Sequence, residues 1–114
     1  MMKIAVIGSR TATTKHYEEL TARLELLNPT EIISGGANGA DTLAERYALE
    51  TGTKLTTYLP DWNKHGKAAG PIRNQDIINA AEMVIAIWDG KSSGTADSLK
   101  KAKAQKKKVG IIWI

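Results

Sequence analysis

Three glycines in five positions, Gly35, Gly36 and Gly39, follow the apolar pair Ile32-Ile33 and Ser34 and lead through Ala37, Ala40 and Asp41 into helically spaced apolar residues. A strand, a tight turn and a helix start, in that order, make an anion site. Glycines let backbone N–H groups approach a ligand, and the first helical turn offers unpaired donors at the positive end of its dipole. Phosphate is the natural occupant. A second turn of the same construction, Asp89-Gly90-Lys91-Ser92-Ser93-Gly94-Thr95, also opens into helical spacing, with the Thr95 hydroxyl added to the backbone donors. Gly8-Ser9-Arg10 ends the first apolar run with a hydroxyl and a guanidinium, a third piece that suits phosphate. Taken alone, that tripeptide suits an ordinary strand-to-helix turn equally well.

Residues 60–70 (Pro-Asp-Trp-Asn-Lys-His-Gly-Lys-Ala-Ala-Gly) follow neither a helical nor a strand period. Polar segments of this length tend to be functional loops. Trp62 suits either stacking on a base or covering the loop, with packing favoured; His65 and Lys67 suit phosphate or solvent. Pro71 fits the first position of a helix. Arg73 then falls in the first turn, where a cation opposes the dipole, and an anion bound there beside Asn74 would account for it. Asp41 is a carboxylate at the favourable end of a helix, which we weight above a catalytic role. His16 reads as a surface residue.

The elements that must hold these residues are legible from period. The continuous run Ile4-Ala5-Val6-Ile7 reads as a strand covered on both faces, starting at Met1. A helix is expected from Thr13 or Thr14 to Leu27, with Tyr17, Leu20, Leu24 and Leu27 on one stripe and Pro29 beyond its end. A strand over 31–34, a helix from residue 40 with Leu43, Ala44, Tyr47 and Ala48 inward and Gly52 at its C-terminus, and a strand over 54–59 follow. After the polar loop come a helix over 71–81, a strand over 82–88, a helix over 95–105 and a last strand over 109–114. The pattern is βαβαβ, loop, αβαβ. It predicts a Rossmann-like three-layer α/β/α sandwich around a mainly parallel five-stranded sheet, as one domain over 1–114. In such sheets ligands bind outside the carboxyl ends of the strands, so all four candidate turns converge on one rim.

Composition narrows the partners. A chain of 114 residues with 42% hydrophobic and 25% charged residues forms a single soluble core. No apolar run reaches the ~20 residues of a membrane span, and none resembles a secretion signal, so we expect no membrane partner and a cytoplasmic location. The absence of cysteine removes thiolate chemistry and disulfides. No metal or cofactor is called for. The net charge of +4 is local: six lysines lie within 100–108, leaving ten basic against twelve acidic residues elsewhere. The tract reads as the solvated, dipole-matched end of a helix.

Gly8-Ser9-Arg10, Ser34-Gly35-Gly36-Ala37 through Gly39-Ala40-Asp41, Pro60-Asp61-Trp62 with Lys64 to Gly70, Gly70-Pro71-Ile72-Arg73-Asn74 and the turn over 89–95 together resemble the SLOG superfamily. This Rossmann-like group joins Smf/DprA proteins with the LOG ("Lonely Guy") phosphoribohydrolases, and the likeness is to its YspA-like branch, over nearly the full length. The resemblance implies a domain binding a nucleotide or nucleotide-derived ligand such as NAD, ADP-ribose or a nucleoside phosphate, and suggests a homo-oligomer. In LOG enzymes a Pro-Gly-Gly-x-Gly-Thr-x-x-Glu motif and a preceding arginine cleave an N-glycosidic bond. Gly94-Thr95 can be laid on the Gly-Thr of that motif and Arg73 on the arginine, but the glutamate position falls on Ser98. A serine cannot replace that carboxylate, and Asp97 would point about 100° away on a helix.

The leading expectation is therefore a module that senses or sequesters a nucleotide-derived ligand, with no catalytic residue assigned. The expected ligand set is Gly8, Ser9, Arg10, Ser34, Gly35, Gly36, Ala37, Gly39, Asp41, Trp62, Lys67, Arg73, Asn74, Asp89, Ser93, Gly94 and Thr95. A LOG-like N-glycosidase using Asp41, Asp89 or Asp97 is the first alternative. Single-stranded nucleic-acid binding ranks third, since it needs dispersed basic contacts; nucleic acid is not the expected partner.

Overall fold

The computed structural model describes residues 2–114. The expected start of the first strand at Met1 lies outside the described residues. The chain runs through β1 (Lys3–Gly8), a 3-10 turn (Thr14–His16), α1 (Tyr17–Leu27), β2 (Glu31–Ser34), α2 (Ala40–Thr51) and β3 (Lys54–Thr57). It continues through α3 (Trp62–His65), a second 3-10 turn (Gly66–Ala68), α4 (Ala69–Ala80), β4 (Met83–Trp88), α5 (Ser93–Ala104) and β5 (Lys108–Trp113).

The five strands form one sheet in the order β3-β2-β1-β4-β5, and every neighbouring pair is parallel. The three central strands alternate their apolar side chains between two cores. Ile4, Val6, Ile32, Ile85 and Ile87 meet α1 and α2 through Leu20, Leu24, Leu43, Ala44 and Tyr47. Ala5, Ile7, Ile33, Val84 and Ala86 meet α4 and α5 through Ile77, Ile78 and Ala102. Helices thus cover both faces, which is the Rossmann-like α/β/α sandwich that the period of the sequence predicts. Burying an Ile or Leu of this kind stabilises by about 1.5–3 kcal/mol, so the central strands anchor everything that hangs from their ends.

Helix boundaries follow local chemistry. Asn28 ends α1 in the left-handed conformation, its N–H bonded to the Leu24 carbonyl, and Gly52 does the same for α2. The segment 60–70 differs from the expected irregular loop. The Asp61 carboxylate accepts the Lys64 backbone N–H at 3.1 Å and starts α3, which passes through the 3-10 turn directly into α4. A capped start and short-range bonds suffice for two helical turns that have no amphipathic period to reveal them. As a result α4 begins at Ala69, Pro71 is its third residue, and Arg73 is its fifth, beyond the first turn. The expectation that Arg73 opposes the dipole at a helix start is corrected by that two-residue shift.

Candidate functional site

After β3 the chain returns across the sheet to place β4 beside β1, so the strand order reverses between these two strands. Their carboxyl ends are left uncovered there, and a cleft of about 460 Å³ opens at that point. The residues after β1, β2 and β4 and the amino ends of α4 and α5 line it.

Close backbone approach builds the floor. Gly8 ends β1 at φ +151°, and a Cβ there would stand 2.1 Å from the Ile87 carbonyl oxygen. Gly39, at φ +76°, brings the start of α2 against β1's exit loop, where a Cβ would stand 2.3 Å from the Ser9 carbonyl oxygen. That carbonyl accepts the Ala40 N–H at 3.2 Å. The anion at the first glycine turn belongs to the protein itself: the Asp41 carboxylate accepts the Ala37 N–H at 3.0 Å. Asp41 is 8% exposed. Burial raises its pKa above 3.8, against the opposing pull of the Ala37 N–H and the positive charge of Arg73.

The second turn is built differently. The Asp89 carboxylate accepts the backbone N–H groups of Lys91 at 2.8 Å and Ser92 at 2.9 Å, and the Ser92 hydroxyl at 3.1 Å. These bonds lower its pKa to about 2. The Ser92 hydroxyl also lies 3.0 Å from the Ser9 hydroxyl, which accepts the Asp89 N–H at 3.1 Å. Ser92 is the N-cap residue of α5, yet its side chain makes no capping bond. Its hydroxyl is turned down into this network. The first-turn N–H groups of Ser93, Gly94 and Thr95 are therefore left without an N-cap side chain, and all three residues line the cleft.

The opposite wall comes from α4. Arg73 donates from one Nη to the carbonyls of Gly35 at 2.7 Å and Tyr58 at 3.2 Å, and from Nε to the Asn74 side chain at 3.1 Å. Asn74 in turn donates to the Asp97 carboxylate at 3.2 Å. Asp97 is also paired with Lys101. Burial pushes the Asp97 carboxyl up, but the bonds from Lys101 and Asn74 outweigh it and hold its pKa below the usual value. Trp62 is 58% exposed. It lies at the outer edge of the cleft, its ring tip 3.7 Å from where a Gly70 Cβ would stand.

The structure thus brings Gly8, Arg10, Gly35, Ala37, Asp41 and Trp62 to one cleft with Arg73, Asn74, Ser93, Gly94 and Thr95. Six expected residues do not line it. Ser9 and Asp89 sit beneath it as the network that shapes the second turn. Ser34 is fully buried, its hydroxyl without a partner among the described residues. Gly36 turns toward Leu59 and Thr57, Gly39 packs on the Ser9-Arg10 backbone, and Lys67 lies exposed in the 3-10 turn. The cleft also uses Thr11, Gly70, Ser92 and the buried Ser98. Ser92 was findable as a serine just ahead of a helical period; Thr11 carries no signal beyond following Arg10.

No helix among the described residues is long and apolar enough to cross a membrane. Over nearly its whole length the chain is similar in fold to DNA processing protein A (DprA) from Streptococcus pneumoniae. That match has a TM-score of 0.80 at 25% identity and covers 97% of this chain and 50% of that one. The Helicobacter pylori DNA processing protein A, whose structure is described for its single-stranded DNA binding mode, matches with a TM-score of 0.74 at 25% identity. Here 96% of this chain and 64% of that one are covered. The Gene 61 protein of Mycobacterium phage D29 is 37% identical over 78 residues, which are 63% of this chain and 62% of the phage protein. The chain therefore spans between half and two thirds of these relatives. Residues 2–65, more than half of the sequence, match the YspA, cpYpsA-related SLOG family, and the chain belongs to that family.

Proposed function

We propose that the cleft binds a nucleotide or nucleotide-derived ligand, with a phosphate at the amino end of α5 and a base against Trp62, and that the protein senses or sequesters it. The carrying observation is the Ser92 side chain: turned onto Asp89 and Ser9, it leaves the first-turn donors of α5 without an N-cap where they line the cleft. A phosphate there gains the charge-assisted bonds and dipole end that Ser92 forgoes. Arg10, exposed on the same rim, adds a guanidinium. The first glycine turn takes a different role, because Asp41 already fills it; its carboxylate faces the cleft as an acceptor for ligand hydroxyls, as an acidic residue does in dinucleotide sites. Holding rather than turnover is favoured by the buried Ser98 at the cleft and by the engagement of Asp97 with Asn74 and Lys101.

The test is thermal stabilisation against NAD, ADP-ribose and its cyclic forms, AMP and cyclic oligonucleotides, followed by chromatography of each hit. A ligand at 100 times its Kd adds about 2.7 kcal/mol, or several degrees for a domain of this size. Recovery of intact ligand supports holding; free base and ribose phosphate would move the reading to the N-glycosidase alternative, with Asp41 as the carboxylate at the cleft.

A second reading is single-stranded nucleic acid, favoured by the likeness to the Helicobacter pylori protein and against the expectation from charge. In this reading the cleft takes one nucleotide of a strand. It predicts that oligothymidylate binds with an affinity falling steeply as salt rises, whereas a mononucleotide held by one phosphate shows a shallow dependence.

A further inference from the structure

The lysine tract and the last strand come together along a groove that shares no lining residue with the cleft. β5 is an edge of the sheet, so among the described residues its outer row of backbone groups pairs with no strand. Val109, Ile111 and Trp113 alternate along it and so share the face toward α5. Val109 is 37% and Trp113 64% exposed, unusual for a strand of such apolar character. Between β5 and α5 runs a second groove of about 410 Å³, with Leu99, Val109 and Ile111 as its floor and Lys103, Lys106 and Lys107 along its rim. Lys107 is tied to the Ile78 and Asn79 carbonyls. Lys103 and Lys106 are exposed and form no ion pair among the described residues.

We propose that this edge is a docking surface for an extended acidic peptide segment of a partner protein, added to the sheet as a sixth strand beside β5. The geometry sets the peptide's pattern. A strand paired with β5 directs every second side chain to the α5 face, where aliphatic residues cover Ile111 and Trp113. The lysines cluster at the amino end of β5, so the peptide's carboxylates fall there. Charge and shape together choose this occupant. A second copy of β5, Lys-Val-Gly-Ile-Ile-Trp, carries no carboxylate to meet the lysines. A nucleic-acid backbone would meet the lysines but leave the aliphatic floor of Leu99, Val109 and Ile111 uncovered. Exposed apolar edges are normally blunted by charge or covered; here the charges stand at one end of the strip and leave the rest open.

The experiment uses the full chain and a panel of fluorescein-labelled octapeptides in which Val or Leu alternates with Asp or Glu, in both registers, read by anisotropy. At least one peptide binds saturably, and its unlabelled form changes the tryptophan fluorescence of the native chain but not that of Trp113→Phe, which removes the indole stacked on Trp88. The exposed double substitution Lys103→Glu/Lys106→Glu weakens it tenfold or more while the chain still folds, its melt lowered only by the few degrees that two charge reversals at the end of α5 cost. N-methylation of alternate peptide amides abolishes binding, which side-chain contacts alone would survive, and the same peptide with Lys for Asp and Glu does not bind. Failure of the whole panel overturns the proposal. So does a twelve-residue oligothymidylate that displaces the peptide with the same lysine dependence, or a dimer in sedimentation that is lost on Val109→Asp.

Discussion

The Arg73 guanidinium donates to the Gly35 carbonyl at 2.7 Å, tying the second turn of α4 to the glycine turn that follows β2. The same nitrogen reaches the Tyr58 carbonyl after β3, so one side chain holds the exits of two strands. Gly35 makes the approach feasible, since a Cβ there would stand 2.6 Å from that nitrogen. Arg73 is thus a positioning residue for the cleft as well as part of its wall. Arg73→Ala leaves two part-buried carbonyls without this donor and is expected to cost about 1–3 kcal/mol in urea denaturation. Arg73→Lys should recover only part of it, because an ammonium cannot reproduce the fork that also engages Asn74. Unchanged stability in both variants would show that Arg73 serves ligand binding alone.

Asp41 sets a stability dependence on pH. Its folded pKa is raised above 3.8, chiefly by burial. The folded chain then holds the proton more tightly than the unfolded chain, so the contribution of protonation is complete below the unfolded value and is lost as pH rises through the folded one. Asp41→Asn keeps an acceptor for the Ala37 N–H and has no charge to desolvate. Urea melts in steps from pH 4 to 8 should show the variant gaining on the native protein as pH rises, then levelling off. A difference that stays constant across the range would mean that Asp41 has an ordinary pKa.

Most of this architecture was legible because period reports burial on a sheet covered on both faces. Ile4 to Ile7, Ile32-Ile33 and Val84 to Ile87 have no polar face to disguise them, and their parallel order follows from the helices between. The turns at Gly35 and Gly94 were legible as glycine-rich exits. What separates them was not. Whether a helix start is open depends on a hydroxyl rotation at Ser92 and on the reach of Asp41 four residues back to Ala37, and neither leaves a mark in spacing. The start of α4 lies two residues ahead of its expected place for a related reason: the Asp61 cap creates short-range helix where no amphipathic stripe exists.

Asp89 shapes the second turn from beneath. With a folded pKa of about 2 against 3.8, its contribution to stability is present above the unfolded value and is lost as pH falls through the folded one. Asp89→Ala should therefore melt below the native protein at pH 7, and the gap should close between about pH 4 and 2. The variant should also lose ligand affinity, because Ser92 is released to cap its own helix and compete for the donors of α5. Full ligand affinity in Asp89→Ala would remove the network from the account of the site.

The phosphate position can be tested by deleting one donor without disturbing the helix. Ser93 is the first residue of α5, where proline is well tolerated because the N–H has no intrahelical partner. Ser92 before it already has φ −60° and ψ 117°, the extended region that a following proline requires. Ser93→Pro should thus leave the melting temperature unchanged or slightly raised, since proline restricts the unfolded chain. If a phosphate rests on this turn, loss of a charge-assisted bond worth about 1.5–3 kcal/mol should weaken the ligand roughly tenfold or more. Arg10→Ala, an exposed change, should weaken it in the same direction with a shallower salt dependence remaining. Undiminished affinity in Ser93→Pro, with Arg10→Ala impaired, would move the phosphate off the helix and onto the rim beside Arg10.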